Sequence, residues 1–210
     1  MSDRLSTILA FASAGLLIAT AGAFTALGAS TGSSTPKLNV KLKNGTALEQ
    51  QKLAQIERLA QQYDLSKYTL TRDLIIEEGA VAHSYPVLTL NGRFLNDDDL
   101  ALSQYVHEQG HWVLMQHHRP DMPYLYRELK NLVPELPIRP PQGDGEERSS
   151  YFHLAVIMLE WHAMEELVGP ERARRVLEWK KHDHYTAIYA AVLEHRAEVE
   201  KILQRYAIHF

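Results

Sequence analysis

One apolar helix constrains the fold of this chain more than any other segment. Asn96 to Asp99 supply an N-cap and an acidic first turn, and Pro120 ends a helix that we predict to run to about His118. Most of its circumference is apolar, so the helix is expected to be buried. It also carries ionisable side chains, and burying these without partners costs several kcal/mol. The fold must therefore supply them with partners.

The ionisable side chains form the pattern His107-Glu108-Gln-Gly-His111. Histidines four positions apart leave one face of a helix a single turn apart, which lets both imidazoles bind one Zn²⁺. Glu108 lies beside them, where its carboxylate can contact a water without binding the metal. The alternative, two surface histidines on an ordinary amphipathic helix, is disfavoured by the apolar neighbours. The sequence thus predicts a site for one Zn²⁺ per chain.

A third zinc ligand is predicted on a later helix. Six consecutive apolar residues, Leu154 to Leu159, precede Glu160. A carboxylate in so apolar a stretch needs a counter-charge, and Zn²⁺ would provide one. The alternative is a buried salt bridge to an arginine such as Arg148 or Arg174. His153 lies seven residues before Glu160 on the same face, and it is a candidate for a rival ligand, a contact behind the ligands or a substrate contact.

The remaining pattern predicts an α+β fold, in which a small mixed sheet precedes a mainly helical half. Strands are indicated at 68–76 and 80–90, and Asn91-Gly92 predicts a hairpin turn between strands. Besides the central helix, helices are predicted at 48–63, 146–168, 170–181 and 183–206. Residues 134–150 are rich in Pro and Gly and indicate a loop.

The N-terminal segment predicts a location outside the cytoplasm. After a short charged start, residues 5–29 form an uncharged apolar run, and a stretch rich in small residues follows. We therefore assign 1–29 to a signal peptide or an N-terminal membrane anchor, 30–46 to a linker and 47–210 to the folded domain. The protein is expected to be exported, to the periplasm or the extracellular space, or to be anchored to a membrane through residues 5–29.

Composition excludes several classes of function. The chain has no cysteine, which excludes a thiolate metal site and a cysteine nucleophile. Its formal net charge of −4 gives no basic surface of the kind that binds nucleic acid. A nucleic-acid partner is therefore not expected.

These features resemble a known family. His107-Glu108-x-x-His111 on a helix that follows strands, with Glu160 on a later helix, is similar to the gluzincin branch of the zincin metallopeptidases. The resemblance covers about residues 85–167. It implies a zinc-dependent hydrolase that cleaves peptide or protein substrates, in which a metal-activated water attacks the scissile carbonyl and Glu108 acts as the general base.

The resemblance also implies a His or Tyr that stabilises the oxyanion from a later helix. His184 and Tyr185 are the candidates, and Tyr189 on the same face could contact the substrate or support the site. Simple core packing of these aromatic residues is the alternative. An alternative function is a catalytically inactive zincin-like scaffold that binds metal at the cell envelope. The intact Glu108 argues against it, because a scaffold needs no general base.

Overall fold

The computed structural model describes residues 37–210, and it confirms the α+β class. Three strands are present in this range: β1 (Asn39–Leu42), β2 (Asp73–Ile76) and β3 (Leu88–Leu90). The helices are α1 (Ala47–Gln62), α2 (Asp98–His117), α3 (Met122–Leu132), α4 (Glu147–Val168), α5 (Pro170–Lys180), α6 (Thr186–Glu194) and α7 (Arg196–Arg205). No helix within residues 37–210 is long and apolar enough to cross a bilayer. The predicted signal peptide or anchor, residues 1–29, lies outside the described residues.

The sheet is wholly parallel, with the strand order β1-β2-β3, so the predicted hairpin and mixed sheet are wrong. The side chain of Asn91 explains the turn that replaces the hairpin. Its amide donates to the carbonyl of Ala80 at 2.8 Å and its oxygen accepts the N–H of Arg93 at 3.1 Å. These contacts turn the chain towards α2 instead of back along β3. Antiparallel pairing in the described range is limited to a single bridge between His83 and Thr89.

The first strand lies within the segment that we predicted to be a linker. Residues Asn39–Leu42 of β1 pair in parallel with Asp73–Ile76 of β2. The folded domain therefore begins before Ala47, and the predicted linker 30–46 is too long at its C-terminal end. The sequence signal was weak because this strand is only four residues long and is partly exposed.

Helix α4 forms the centre of the helical half. It packs against α2, α3, α5, α6 and α7, and the six residues from Leu154 to Leu159 are each at most 1% exposed. Helix α2 packs closely against it at Gly110, where a Cβ atom would come within 3.4 Å of a methyl group of Val156. This close packing brings the histidines of α2 against the side chains of α4.

The helical half differs from the prediction in two places. The helix predicted at 183–206 is divided into α6 and α7 at His195, and α6 begins only after Tyr185, whose backbone is left-handed (φ 52°). Helix α3 was not predicted at all. It lies between Pro120 and Pro134, where the sequence suggested only the end of α2 and the start of a loop.

Candidate metal centre

Three imidazoles converge where α2 packs against α4. His107 and His111 come from one face of α2, one turn apart, and His153 comes from the first half of α4. One potential ligand atom of each residue lies within 4.8 Å of those of the other two. The ring centroids are 4.8–5.6 Å apart. The paired histidines of the sequence motif are thus joined by a third histidine.

Hydrogen bonds behind the rings leave the Nε2 atoms of two histidines free to bind a metal. Nδ1 of His107 donates to Oε2 of Glu160 at 2.8 Å, and Nδ1 of His153 donates to the carbonyl of Ser149 at 2.8 Å. A donor proton on Nδ1 leaves Nε2 as the lone-pair nitrogen. Metal-binding histidines are commonly oriented in this way by a carboxylate or carbonyl.

The environment of His111 and His153 also favours the neutral imidazole, the form that binds metal. Burial, assisted by the neighbouring rings of His107 and His153, holds the pKa of His111 well below its usual value. Burial lowers the pKa of His153 to about 4, and the ring of His107 contributes in the same direction. Three such rings cannot all be protonated at this distance, whereas one divalent cation can bind them all.

The donor set fits zinc. Nitrogens around one tetrahedral Zn²⁺ are about 3.3 Å apart for bonds of 2.0–2.1 Å, so small side-chain rotations would close the observed separations. Three protein ligands leave a fourth position for water or substrate, as catalytic zinc sites do. The histidines line a cleft of about 770 Å³. The cleft is also lined by Ser84, Asn91, Arg93, Gln104, Glu108, Asp144, Lys180, His184 and Tyr185.

Glu160, predicted as the third ligand, has a different position. Its Oε2 accepts hydrogen bonds from His107 and, at 3.0 Å, from the hydroxyl of Tyr189. Its Oε1 accepts from Lys180 at 2.9 Å and from the hydroxyl of Ser103. Both carboxylate oxygens are thus occupied by protein donors, and the residue is fully buried behind His107. His153 takes the place in the ligand group that the sequence suggested for Glu160.

The counter-charge that Glu160 requires is the ammonium of Lys180. Burial alone would raise the pKa of this carboxyl, but Lys180 and His107 together hold it well below its usual range. Lys180 ends α5 and is itself only 2% exposed. The sequence indicated that this buried carboxylate needs a cation, and the cation in the structure is Lys180 instead of the expected arginine or Zn²⁺.

Glu108 lies at the cleft beside the three histidines. It is 7% exposed, and burial raises the pKa of its carboxyl despite the nearby His107 and the hydroxyl of Ser84. Ser84 donates to Oε2 of Glu108 at 2.6 Å and also lies 3.0 Å from the carbonyl oxygen of the same residue. Ser84 was not singled out in the sequence, because it lies in the loop between β2 and β3, remote from the motif along the chain.

The aromatic candidates of the last third of the chain take different positions. The ring of Tyr185 is 4.4 Å from that of His153, and its hydroxyl donates to Asp144 at 2.9 Å. Nδ1 of His184 donates to Asp183 at 2.5 Å. Tyr185 and His184 both line the cleft. Tyr189 is fully buried and binds Glu160, so it supports the centre from behind.

Comparison with known proteins finds no relative for this arrangement. No protein-family model, no curated protein and no solved structure matches the chain.

Proposed function

We propose that the protein is a zinc-dependent peptide-bond hydrolase. One observation carries the proposal: three imidazoles converge beside a buried carboxylate, Glu108, in a cleft open to substrate. His107, His111 and His153 would hold the ion, and His153 replaces the glutamate of the gluzincin pattern. When bound, zinc would acidify a water molecule and polarise the scissile carbonyl.

Glu108 is the residue that takes the proton. A general base works best when its pKa lies near the working pH, and burial shifts the pKa of Glu108 in that direction. The hydrogen bond from Ser84 fixes the carboxylate against α2, so that its second oxygen is the one left for the attacking water. The same carboxyl group would then deliver the proton to the leaving amine.

Tyr185 is the better of the two candidates for the oxyanion. Burial, together with Asp144, keeps the pKa of its hydroxyl above the usual value, so the phenol retains the proton that it must donate. Burial lowers the pKa of His184, whose ring proton is already engaged by Asp183, so its free nitrogen is an acceptor at neutral pH. A hydrogen-bond donor aimed at the oxyanion is often the largest contribution to such catalysis.

Zinc content and cleavage test this function together. Purified protein should bind one equivalent of zinc, and the zinc-loaded protein should cleave members of a random peptide library. Glu108→Gln should keep the zinc and lose cleavage, because an amide cannot accept the proton. Glu57→Gln, at an exposed position on α1, is the matched control and should change neither property.

Two results would contradict the proposal. Absence of zinc binding would remove the metal centre altogether. Zinc binding without cleavage of any library member would favour the alternative, an inactive metal-binding scaffold. Wild-type and Glu108→Gln protein would then both bind zinc and cleave no peptide.

A further inference from the structure

Gln104 presents an unpaired hydrogen-bond acceptor at the cleft. It lies on α2 one turn before Glu108, it lines the cleft, and it is 7% exposed. Its Oε1 is buried, and no protein donor within residues 37–210 lies within hydrogen-bonding distance of it. Leaving a buried acceptor unpaired costs about 1–3 kcal/mol.

The orientation of the Gln104 amide is fixed by Asn91. Both hydrogen-bonding atoms of Asn91 are assigned by backbone contacts, because its Nδ2 donates to Ala80 and its Oδ1 accepts from the N–H of Arg93. Gln104 must therefore present Nε2 to Oδ1 of Asn91, at 3.3 Å. A flipped amide would bring two oxygens together. The unpaired atom is thus the oxygen, and it requires a donor.

A second glutamine on the same helix shows what a structural role looks like. Gln109 is 1% exposed, and its Oε1 accepts the backbone N–H groups of Leu70 and Thr71 at 2.8 and 3.0 Å. Its Nε2 donates to the carbonyl of Thr71 at 2.9 Å. Gln109 uses both its oxygen and its nitrogen to tie α2 to the segment just before β2, whereas Gln104 leaves its acceptor unused.

The other unpaired buried atoms in the described range are the ring nitrogens of Trp112 and Trp161, and neither residue lines the cleft. Gln104 alone of the three combines an unpaired polar atom with a place in the candidate active site. Oε1 itself is buried, and because Gln104 lines the cleft, a small shift of its side chain would bring this oxygen within reach of a donor on a bound ligand.

We propose that Oε1 of Gln104 accepts a hydrogen bond from a main-chain N–H of the bound peptide. Gln104 and Glu108 are four positions apart on the helix, about 6 Å along its axis, which an extended peptide covers in about two residues. The N–H therefore belongs to a substrate residue within about two positions of the scissile bond. This role rests on the peptide binding of the proposed function and adds to it a subsite that holds the peptide backbone.

A neutral donor fits this subsite better than an ammonium group. Arg93 and Lys180 line the same cleft, and although each is paired with a carboxylate, both disfavour a further positive charge nearby. A main-chain N–H brings the needed proton without a charge. We therefore expect the site to bind within a peptide chain and not at a free amino terminus.

Single N-methylation of a bound peptide tests the subsite without requiring catalysis. A short peptide would be selected from a random library for binding to zinc-loaded Glu108→Gln protein, and each of its amides would be methylated in turn. Calorimetry should show one amide at which methylation raises Kd because the hydrogen bond to Gln104 is lost. Loss of this hydrogen bond alone should raise Kd by about 5- to 10-fold. Adding Gln104→Leu should remove that contribution while leaving the effect of methylation at the other positions unchanged.

Two further variants keep the test decisive. Gln104→Met, which is flexible and similar in size, replaces Gln104→Leu if the latter does not fold. Gln109→Leu is the matched control: it should lower the melting temperature, because it leaves buried backbone groups unpaired, but it should not change the methylation profile.

An unchanged methylation profile in the Gln104 variants would overturn the subsite, since a buried water would then satisfy the oxygen. Failure of all library peptides to bind the zinc-loaded protein would overturn it as well. If peptides bind with the expected profile but the wild-type protein cleaves none of them, the hydrolase function fails while the subsite stands. The two proposals are thus separately refutable.

Discussion

Nδ1 of His107 donates a 2.8 Å hydrogen bond to Oε2 of Glu160, and this contact links the candidate metal centre to a buried ion pair. The other oxygen of Glu160 binds Lys180 at 2.9 Å, and both residues are almost fully buried. A carboxylate in this position orients the imidazole and makes its free nitrogen a stronger ligand. Glu160 would therefore act on a bound metal through His107.

Glu160→Gln should reduce both zinc affinity and stability. Loss of a carboxylate behind a metal-binding histidine costs about 10- to 100-fold in affinity. Lys180 would also be left buried without its counter-charge, which costs about 3–5 kcal/mol of unfolding free energy. Competition with a chelator would measure the affinity, and urea unfolding of the metal-free protein would measure the stability.

The double variant Glu160→Gln/Lys180→Met separates these two effects. Removal of the buried ammonium should restore most of the unfolding free energy without restoring zinc affinity. Unchanged zinc affinity in Glu160→Gln would mean that the contact with His107 does not matter for the metal. Complete loss of zinc would instead favour Glu160 as a direct ligand, as the sequence suggested.

His153→Ala should reduce zinc affinity far more than Glu160→Gln does, because His153 is a proposed ligand whereas Glu160 only orients one. The control is His162→Ala, on the same helix, where the side chain is 35% exposed and its nearest carboxylate lies 3.9 Å away. That variant should bind zinc as the wild type does. X-ray absorption at the zinc edge should detect three imidazole ligands in wild-type protein, and a carboxylate oxygen in place of one imidazole would contradict the assignment of His153.

The sequence predicted the parts of the fold and site that depend on local pattern. Helix α2 begins at its Asp97 cap, and α4 ends before Gly169 as expected, because caps and helix-breaking residues act within a few positions. The spacing of His107 and His111 likewise places both on one face of α2. Each of these predictions required only the geometry of a single helix.

The parts that failed depend on contacts between distant residues. Lys180 meets Glu160 only because α5 folds back on α4, and Ser84 meets Glu108 only through the packing of a loop on α2. The strand pairing of β1 and the turn at Asn91 are likewise tertiary. His153 was considered as a ligand, but nothing in the spacing along α4 distinguished it from Glu160 seven residues later.

Lys52 provides a test of stability that is independent of the metal. It is fully buried on α1, its ammonium donates to Gln55 at 3.1 Å, and no carboxylate in the described range lies within 4.0 Å of it. Burial lowers the pKa of this amine to about 8, and the charge of Asp98 opposes the shift only in part. Keeping Lys52 charged in the folded state therefore costs free energy.

The pH dependence of this cost has a definite sign. The folded-state pKa is below the unfolded value, so between pH 8 and about 10.5 the unfolded chain holds more protons than the folded chain, and stability rises with pH. Below pH 8 the full cost remains. Lys52→Met should therefore raise the unfolding free energy at pH 7 by about 2–3 kcal/mol, with a gain that shrinks towards pH 10.5.

Urea unfolding of metal-free protein at pH 7 and pH 10 would measure this effect. Lys43→Met, at a half-exposed position, is the matched control, and it should change stability by less than about 0.5 kcal/mol at either pH. A Lys52→Met variant that is less stable than wild type at pH 7 would show that the ammonium makes a net favourable contribution where it lies.

Tyr185→Phe should lower kcat while leaving zinc affinity unchanged. The Tyr185 hydroxyl donates to Asp144 in the structure. To donate to an oxyanion, the hydroxyl must rotate its hydrogen away from Asp144 and towards the substrate. Loss of one oxyanion donor lowers kcat by about 10²- to 10³-fold. KM should change little, because the Tyr185 hydroxyl binds the oxyanion and not the ground-state carbonyl.

The comparison variant is His184→Gln, because the free ring nitrogen of His184 is an acceptor at neutral pH. A larger loss of kcat in His184→Gln than in Tyr185→Phe would transfer the oxyanion role to His184, which would then have to act as a cation. The activity of the wild-type protein would in that case fall as the pH rises through the lowered pKa of the His184 imidazole.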